Sequence, residues 1–251
     1  MVTELIAALA DGSVKVVDLT QPLSEKTPVL QLPPPFANTP GLSRELISEY
    51  DDKGPAWAWY TLTVGEHVGT HFDAPIHWIT GKDGQDVASV PPSRLVGPAV
   101  VIDHSAQAAE NPDHLLTIAG IKAFEAEHGP LPENGWLLYR TGWDARAHDQ
   151  DAFLNGGRTP GPDVEAARYL AEEAKIAGVG VETVGTDAGA AHSFEPPFPV
   201  HNFLLGAGKY GLTQLANLAQ LPPTGAVIVV APLKLVRGTG SPSRVFALVA
   251  A

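Results

Sequence analysis

The chain contains no cysteine. That excludes disulfides, thiolate nucleophiles and cysteine-held metal, and leaves only nitrogen and oxygen side chains to hold an ion. Cations are scarce as well: 16 Lys and Arg stand against 28 Asp and Glu, for a formal net charge of −12. Such a chain has little with which to neutralise phosphates, which argues against nucleic acid and an anionic membrane surface. No apolar run reaches about 18 residues, so no transmembrane helix is expected. Residues 1–10 carry Glu4 and no Lys or Arg, unlike a secretory leader, and cytoplasm is the default expectation. No internal repeat is visible. The one Gly-dense stretch, residues 178–189, has no GxGxxG, and no Gly-x-Ser-x-Gly elbow occurs anywhere.

What is present reads as a soluble globular chain. Of its 251 residues, 44% are hydrophobic and 18% charged, which suits one packed domain over residues 1–251. With 25 Gly and 23 Pro, the fold should be rich in turns. Residues 14–19, 57–64, 99–103, 136–140, 179–184, 226–230 and 244–249 read as strands. Residues 117–128 read as a helix, with Ile118, Ile121 and Phe124 on one face. Pro162-Asp163 opens a second helix, with Gly178 as its stop. Residues 201–207 suggest a short helical turn. Residues 27–43 hold five prolines and read as an ordered loop anchored by Leu30, Leu32 and Phe36. Strands outnumber helices, so the expected class is mixed α/β with several antiparallel pieces.

Three of the nine histidines, with an aspartate, fall in residues 67–77. Imidazole and carboxylate are the ligands that borderline divalent ions take. In an extended strand His67 and His71 would stand roughly 13 Å apart, too far for one ion. The chain must therefore bend between them. Gly69 lies halfway, where a positive φ costs least. The glycines and Pro75 argue against a continuous helix.

His67-Val68-Gly69-Thr70-His71-Phe72-Asp73-Ala74-Pro75-Ile76-His77 resembles the signature His-x-Gly-Thr-His-x-Asp-x-Pro-x-His of the metal-dependent cyclase-like hydrolases. That superfamily includes kynurenine formamidase and isatin hydrolase branches. The likeness continues through Gly185-Thr186-Asp187, His201 with Leu204-Leu205-Gly206, and Leu215-Ala216-Asn217-Leu218, covering roughly residues 17–248. Gly65-Glu66, Ile76-His77-Trp78 and residues 194–199 look closer to the isatin hydrolase branch. The resemblance implies a swivelling β/β/α fold around a small barrel-like sheet. It implies that His67, His71 and Asp73 are metal ligands and that His77 and His201 work at the site. In the formamidase branch a Glu twelve residues after the later histidine helps hold a second zinc. Here that position is Thr213, followed by Gln214. One ion per subunit is therefore expected, Mn²⁺ ahead of Zn²⁺, with Gln214 or Thr213 offering a neutral oxygen.

Trp57, Trp59, Phe72 and Trp78 bracket the histidines. With Phe36 and Phe194 or Phe198 they supply candidate walls for a flat aromatic substrate; Phe36, Trp59, Trp78 and Phe194 are the foremost. Asp187 reads equally as a partner for a ligand histidine or as a turn cap. His104, His114, His128 and His148 read as isolated surface or loop residues. By resemblance, the function is hydrolysis of a small cyclic amide, isatin to isatinate, by metal-activated water. The proton would be carried by Asp73, His77 or His201. An arylformamidase acting on N-formylkynurenine and a non-catalytic metal-binding protein are the alternatives. The resemblance also implies a homo-oligomer, dimer or tetramer, with the Pro-rich arm as an exchange element.

Overall fold

Alternation along the central strands sets the architecture. The computed structural model describes residues 2–251. In chain order come α1 (Val2–Asp11), β1 (Val14–Asp18), β2 (Ser43–Asp51), β3 (Gly54–Thr63), β4 (His71–Asp73), β5 (Val96–Asp103) and α2 (Ser105–Glu110). There follow β6 (Leu115–Leu116), α3 (Ile118–His128), β7 (Trp136–Arg140), α4 (Gln150–Leu154), β8 (Gly161–Pro162) and α5 (Val164–Glu172). The chain ends with β9 (Gly178–Val181), β10 (Tyr210–Thr213), β11 (Ala226–Pro232) and β12 (Gly240–Ala250). The main sheet runs β12-β11-β5-β7-β9-β10-β4, and β4 pairs back onto β12. Seven strands thus close on themselves, with β1 added outside β12. β5, β7, β9 and β10 are parallel neighbours, and the remaining pairs are antiparallel.

The central strands β5, β7 and β9 send alternate residues to two separate cores. Ala99 and Val101, Trp136 and Leu138, Leu212, Ile228, Val245 and Ala247 fill the inside of the closed sheet together with Phe72. Val100 and Ile102, Leu137 and Tyr139, Val179 and Val181 face outward and meet Ile121 and Phe124 of α3 and Ala166, Ala167 and Leu170 of α5. On β9 the inward positions are glycine for a steric reason. A Cβ on Gly178 would come within 2.6 Å of the Trp136 ring, and one on Gly180 within 2.7 Å of Leu138 and Leu215. The helices that pack on the sheet, α3 and α5, begin on side-chain caps: Thr117 accepts from Gly120 N–H and Asp163 from Ala166 N–H.

Several boundaries differ from expectation. The second helix stops at Glu172, not at Gly178, which instead opens β9. Its end is fixed by Lys209, whose Nζ donates to the carbonyls of Leu170 and Ala174. The ninth strand ends at Val181 rather than Val184. Residues 27–42 form the expected irregular loop, but Leu30, Leu32 and Phe36 are exposed and do not anchor it. Val29 does. It is buried, and its backbone N–H and C=O both bond the side-chain amide of Gln150. His104 and His114 are not isolated: their rings share a hydrogen bond of 3.0 Å between Nδ1 and Nε2.

Glu182, just past β9, ties the strand ends together. Its buried carboxylate accepts from Thr141 N–H, Thr141 Oγ1 and Trp143 N–H. Burial first, then the charge of Asp144, pushes its pKa up to about 7, against the pull of those N–H groups. The folded state therefore takes up a proton that the unfolded chain gives up near 4.5. This stabilisation is complete below the unfolded value and is lost as pH rises through 7, a loss on the order of 3 kcal/mol. Glu182→Gln should keep the acceptor and remove this slope. Urea unfolding of both chains at pH 5 and pH 8.5 is the check, and parallel pH dependences would refute it.

Candidate metal centre and active site

The site is built on β4, where the barrel closes. Beyond β3 the chain passes His67 and turns at Gly69, whose φ is +65°. It then enters β4 between β10 and β12, with His71 opposite Thr213 and Pro242 and Asp73 opposite Gly211 and Gly240. Alternation puts Phe72 into the core against Trp136 and Tyr210, and turns His71 and Asp73 to the other face. The neighbours on both sides are glycine where the ligands need room. A Cβ on Gly211 would lie 2.9 Å from Asp73 Oδ2. One on Gly240 would collide with the His67 ring.

Hydrogen bonds from outside decide which atoms face inward. Thr239 donates its hydroxyl and its backbone N–H to Glu66 Oε2, at 2.5 and 3.0 Å. The Thr239 oxygen is then free to accept from His67 Nε2, at 2.9 Å. That tautomer leaves His67 Nδ1 bare, 2.9 Å from Asp73 Oδ1. His71 Nδ1 donates to the Gly69 carbonyl at 2.7 Å, which leaves Nε2 bare, 3.4 Å from the same oxygen. Three acceptors thus converge, and the ligand atoms of His67, His71 and Asp73 all lie within 4.8 Å of one another. Lone pairs so placed in a buried spot repel unless a cation sits among them. The donor set fits a divalent ion.

The neighbouring oxygens divide as follows. Thr213 Oγ1 lies 2.8 Å from His71 Nδ1 and 3.1 Å from Nε2. Gln214 has a backbone φ of +53°, and its Nε2 lies 3.5 Å from the Pro28 carbonyl. Its Oε1 is buried with no partner.

His77 and His201 stand beside the cluster in opposite electrostatic settings. The His77 ring stacks on His67 at 3.9 Å. Burial, then the imidazoles of His67, His201 and His71, push its pKa down to about 3 against the attraction of Asp73. His201 opens a π-helical turn, Val200–Leu205. Asp187 accepts from Val200 N–H, from His201 N–H and from His201 Nδ1, the last at 2.5 Å. Burial would lower the His201 pKa, but the bond and charge of Asp187 outweigh it and raise it. Asp187 is therefore both cap and histidine partner, and His201 keeps Nε2 for the site.

Of the candidate walls, Trp78 lies against His201 at 4.8 Å between ring centres and against Phe198 at 5.7 Å. Phe194 is half-buried after the 3₁₀ turn Gly189–Ser193, and Phe198 takes the place beside Trp78. Trp59 stands exposed on β3, edge-on to Trp57 at 6.0 Å, and Phe36 is exposed in the Pro-rich loop. Sequence reasoning missed Thr239 as a partner of His67. A threonine 172 residues away carries no signal of its own.

The chain matches the Cyclase family model over residues 17–188. It is 52% identical to an isatin hydrolase of Roseibium aggregatum, over 97% of this chain and 95% of that one. It is 31% identical to a kynurenine formamidase of Salinibacter ruber, over 73% of this chain and 76% of the relative. A crystal structure of an isatin hydrolase bound to the product analogue thioisatinate superposes with a TM-score of 0.97 at 50% identity, covering 100% of this chain and 98% of the other. The solved structure of a potential metal-dependent hydrolase with cyclase activity gives a TM-score of 0.69 at 26% identity, covering 95% and 99%.

Thr239→Val should leave the fold intact and weaken divalent-ion binding by about 10–100-fold, because His67 loses the acceptor that sets its tautomer. Competition with a fluorescent chelator measures this. Unchanged affinity would mean that His67 faces its neighbours through some other state.

Proposed function

The chain belongs to the Cyclase family, and from that premise we propose that it is a metal-dependent amidohydrolase that opens isatin to isatinate. The observation that carries the reading is the set of three converging acceptors beside a carboxylate-paired histidine and a tryptophan face. The resemblance to isatin hydrolase over the whole chain supplies the substrate. His67, His71 and Asp73 are assigned as the ligands of one ion. Thr213 Oγ1, in contact with His71, and Gln214 Oε1, buried without a partner, are the neutral oxygens available to it. Nitrogen and oxygen donors without sulfur suit Mn²⁺, our first choice, as well as Zn²⁺. A divalent ion there lowers the pKa of water and neutralises charge developing on the carbonyl oxygen.

The residues of the chain do the rest. The lactam ring lies against Trp78, with Phe198 behind it. His201 accepts the proton of the attacking water and returns it to the ring nitrogen as the C–N bond breaks. Asp187 holds the imidazole in the tautomer that exposes Nε2 and steadies its charged form. Asp73 is engaged with two imidazoles, and His77 stays neutral against His67, so both position rather than carry the proton. Phe36, Trp59 and Phe194 remain assigned to substrate, Phe36 and Trp59 from exposed positions. The chain acts on a small molecule and works as a homo-oligomer, a reading that its exposed apolar surface supports.

Removing the metal should abolish the loss of isatin absorbance, and Mn²⁺ should restore it. His71→Ala should lose both ion and turnover. A metal-replete protein that ignores isatin but cleaves N-formylkynurenine would overturn the substrate in favour of an arylformamidase. Metal without turnover on any lactam or anilide would favour a binding protein.

Asp187→Asn removes the charge that raises His201. The base must be neutral to act, so the acid limb of kcat/KM should move to lower pH while the plateau falls by about 10–100-fold. An acid limb that stays in place would exclude His201 as the group it reports.

A further inference from the structure

A cavity of about 260 Å³ opens where β7, β9 and β10 begin, and the reaction at the metal cluster makes no use of it. Arg94, Lys175, Lys209, Asn134 and Glu133 line it, with apolar surface from Ile176. Lys209 immediately precedes β10, whose last residue, Thr213, touches His71. Four residues of extended chain put Lys209 roughly 13 Å from Thr213. The cavity and the metal cluster thus lie at opposite ends of the parallel strands.

Charge sets this cavity apart. The chain as a whole carries −12, yet three of its cations meet here against one carboxylate. Arg94 donates to the side-chain oxygen of Asn134, and Lys209 to the carbonyls of Leu170 and Ala174. Among the described residues, neither cation has a carboxylate partner. Lys175 Nζ stands 4.0 Å from Glu133 Oε2, but the two side chains are 74% and 67% exposed. A pair so open to water contributes little, and either member turns away at small cost. Arg94 and Lys209 also repel each other. Burial first, then the Arg94 charge, brings the Lys209 pKa down to about 8. The two cations are nonetheless held in place from behind. Trp136 Nε1 donates to the Arg94 carbonyl at 3.3 Å, and Lys209 N–H donates to the Leu204 carbonyl at 3.0 Å. Arg94 is thereby tied to β7, and Lys209 to the turn that carries His201.

We propose that this cavity binds a small oxyanion with two negative charges, a phosphate ester or a dicarboxylate, between Arg94, Lys175 and Lys209. A guanidinium has five N–H groups and an ammonium three, so Arg94 and Lys209 both keep donors beyond the bonds they make. An oxyanion supplies the acceptors these donors lack, and the guanidinium fork meets two of its oxygens at once. It also replaces the repulsion between Arg94 and Lys209 with attraction to both. Three cations beside one exposed carboxylate leave a surplus that a dianion matches. The volume falls below the ~300–1,000 Å³ of pockets for drug-sized ligands, which favours a ligand of few atoms. Elsewhere the negative field of the chain repels anions, so this cavity is where one gains most. The inference stands whatever the substrate at the metal cluster.

The test is calorimetric titration of the full, metal-loaded chain at neutral pH and low salt, with inorganic phosphate in one series and succinate in another. At least one of the two should bind at one equivalent per chain with a Kd of about 1 mM or below. Tighter phosphate assigns a phosphate ester, and tighter succinate a dicarboxylate. Added sodium chloride should weaken the binding. Arg94→Gln should weaken it at least about tenfold, because the fork that meets two oxygens is gone. Arg94→Gln/Lys175→Gln should weaken it further. Lys53→Gln, which removes an exposed charge from the turn between β2 and β3, should bind like the wild type. If Arg94→Gln does not fold, Lys175→Gln carries the test, since it alters only an exposed side chain. No binding of either anion by roughly 10 mM would overturn the proposal. So would an affinity that survives the Arg94 and Lys175 substitutions, which is the result expected if phosphate sits on the ion at the metal cluster.

Discussion

Three lone pairs pointed at one another are the constraint around which the molecule is arranged. His67 Nδ1, His71 Nε2 and Asp73 Oδ1 meet in a spot where His71 and Asp73 are almost wholly shielded from water. Left to themselves these groups would rotate to find donors. The fold prevents it from behind: Thr239, itself committed to Glu66, takes His67 Nε2, and the Gly69 carbonyl takes His71 Nδ1. Each outer bond fixes a tautomer, and each tautomer leaves an acceptor with no proton of its own. Attraction for a cation is the energetic consequence, and it is strong because little water competes there.

The barrel exists around the same point. β4 has only three residues, yet it closes the sheet by pairing with β10 and β12 at once. Its middle residue, Phe72, is held in the core by Trp136 and Tyr210, and this fixes the facing of the two ligands beside it. Glycines at 211 and 240 keep the flanking strands clear of the carboxylate and of His67. Packing inside the sheet therefore sets coordination outside it. The two further histidines gain their roles from neighbours rather than from position alone. His201 has a carboxylate and is raised, whereas His77 has imidazoles and is lowered. Two groups of the same type, both in ring contact with Trp78, thus sit in opposite electrostatic settings.

The metal cluster was legible in the sequence because its ligands are local. Two histidines four apart cannot share an ion unless the chain bends, and Gly69 bends at φ +65° where that argument required it. The central strands β5, β7 and β9 were legible as apolar runs, since each is buried on both sides. β4 was not, because His-Phe-Asp is too short and too polar to read as a strand, and its pairing comes from residues 140–170 positions away. β2 escaped because both its faces meet solvent and its pairing shifts between Leu46 and Ser48, so no alternation survives. The end of α5 was misplaced because Lys209, not a glycine, takes its last carbonyls. The opposite settings of His201 and His77 were not legible, because they depend on Asp187, fourteen residues from His201, being brought within bonding distance.

These pieces separate what is rigid from what is adjustable. The three acceptors and their outer partners sit on short strands or beside them, with the acceptor atoms within 4.8 Å of one another. The candidate wall residues come instead from loops and from a ribbon: Trp78 from beside a 3₁₀ turn, Phe198 from a Pro-rich bend, Phe36 from a long loop, Trp57 and Trp59 from β3. Change in the wall costs the barrel nothing, because none of those residues belongs to either core cluster. Change in the cluster does cost it, since β4 is also the seam of the sheet. The likeness to isatin hydrolase is sharp and that to kynurenine formamidase fainter. Thr213, where the resemblance to the formamidase branch implies an acid, lies on β10 with its hydroxyl against His71, inside the rigid part.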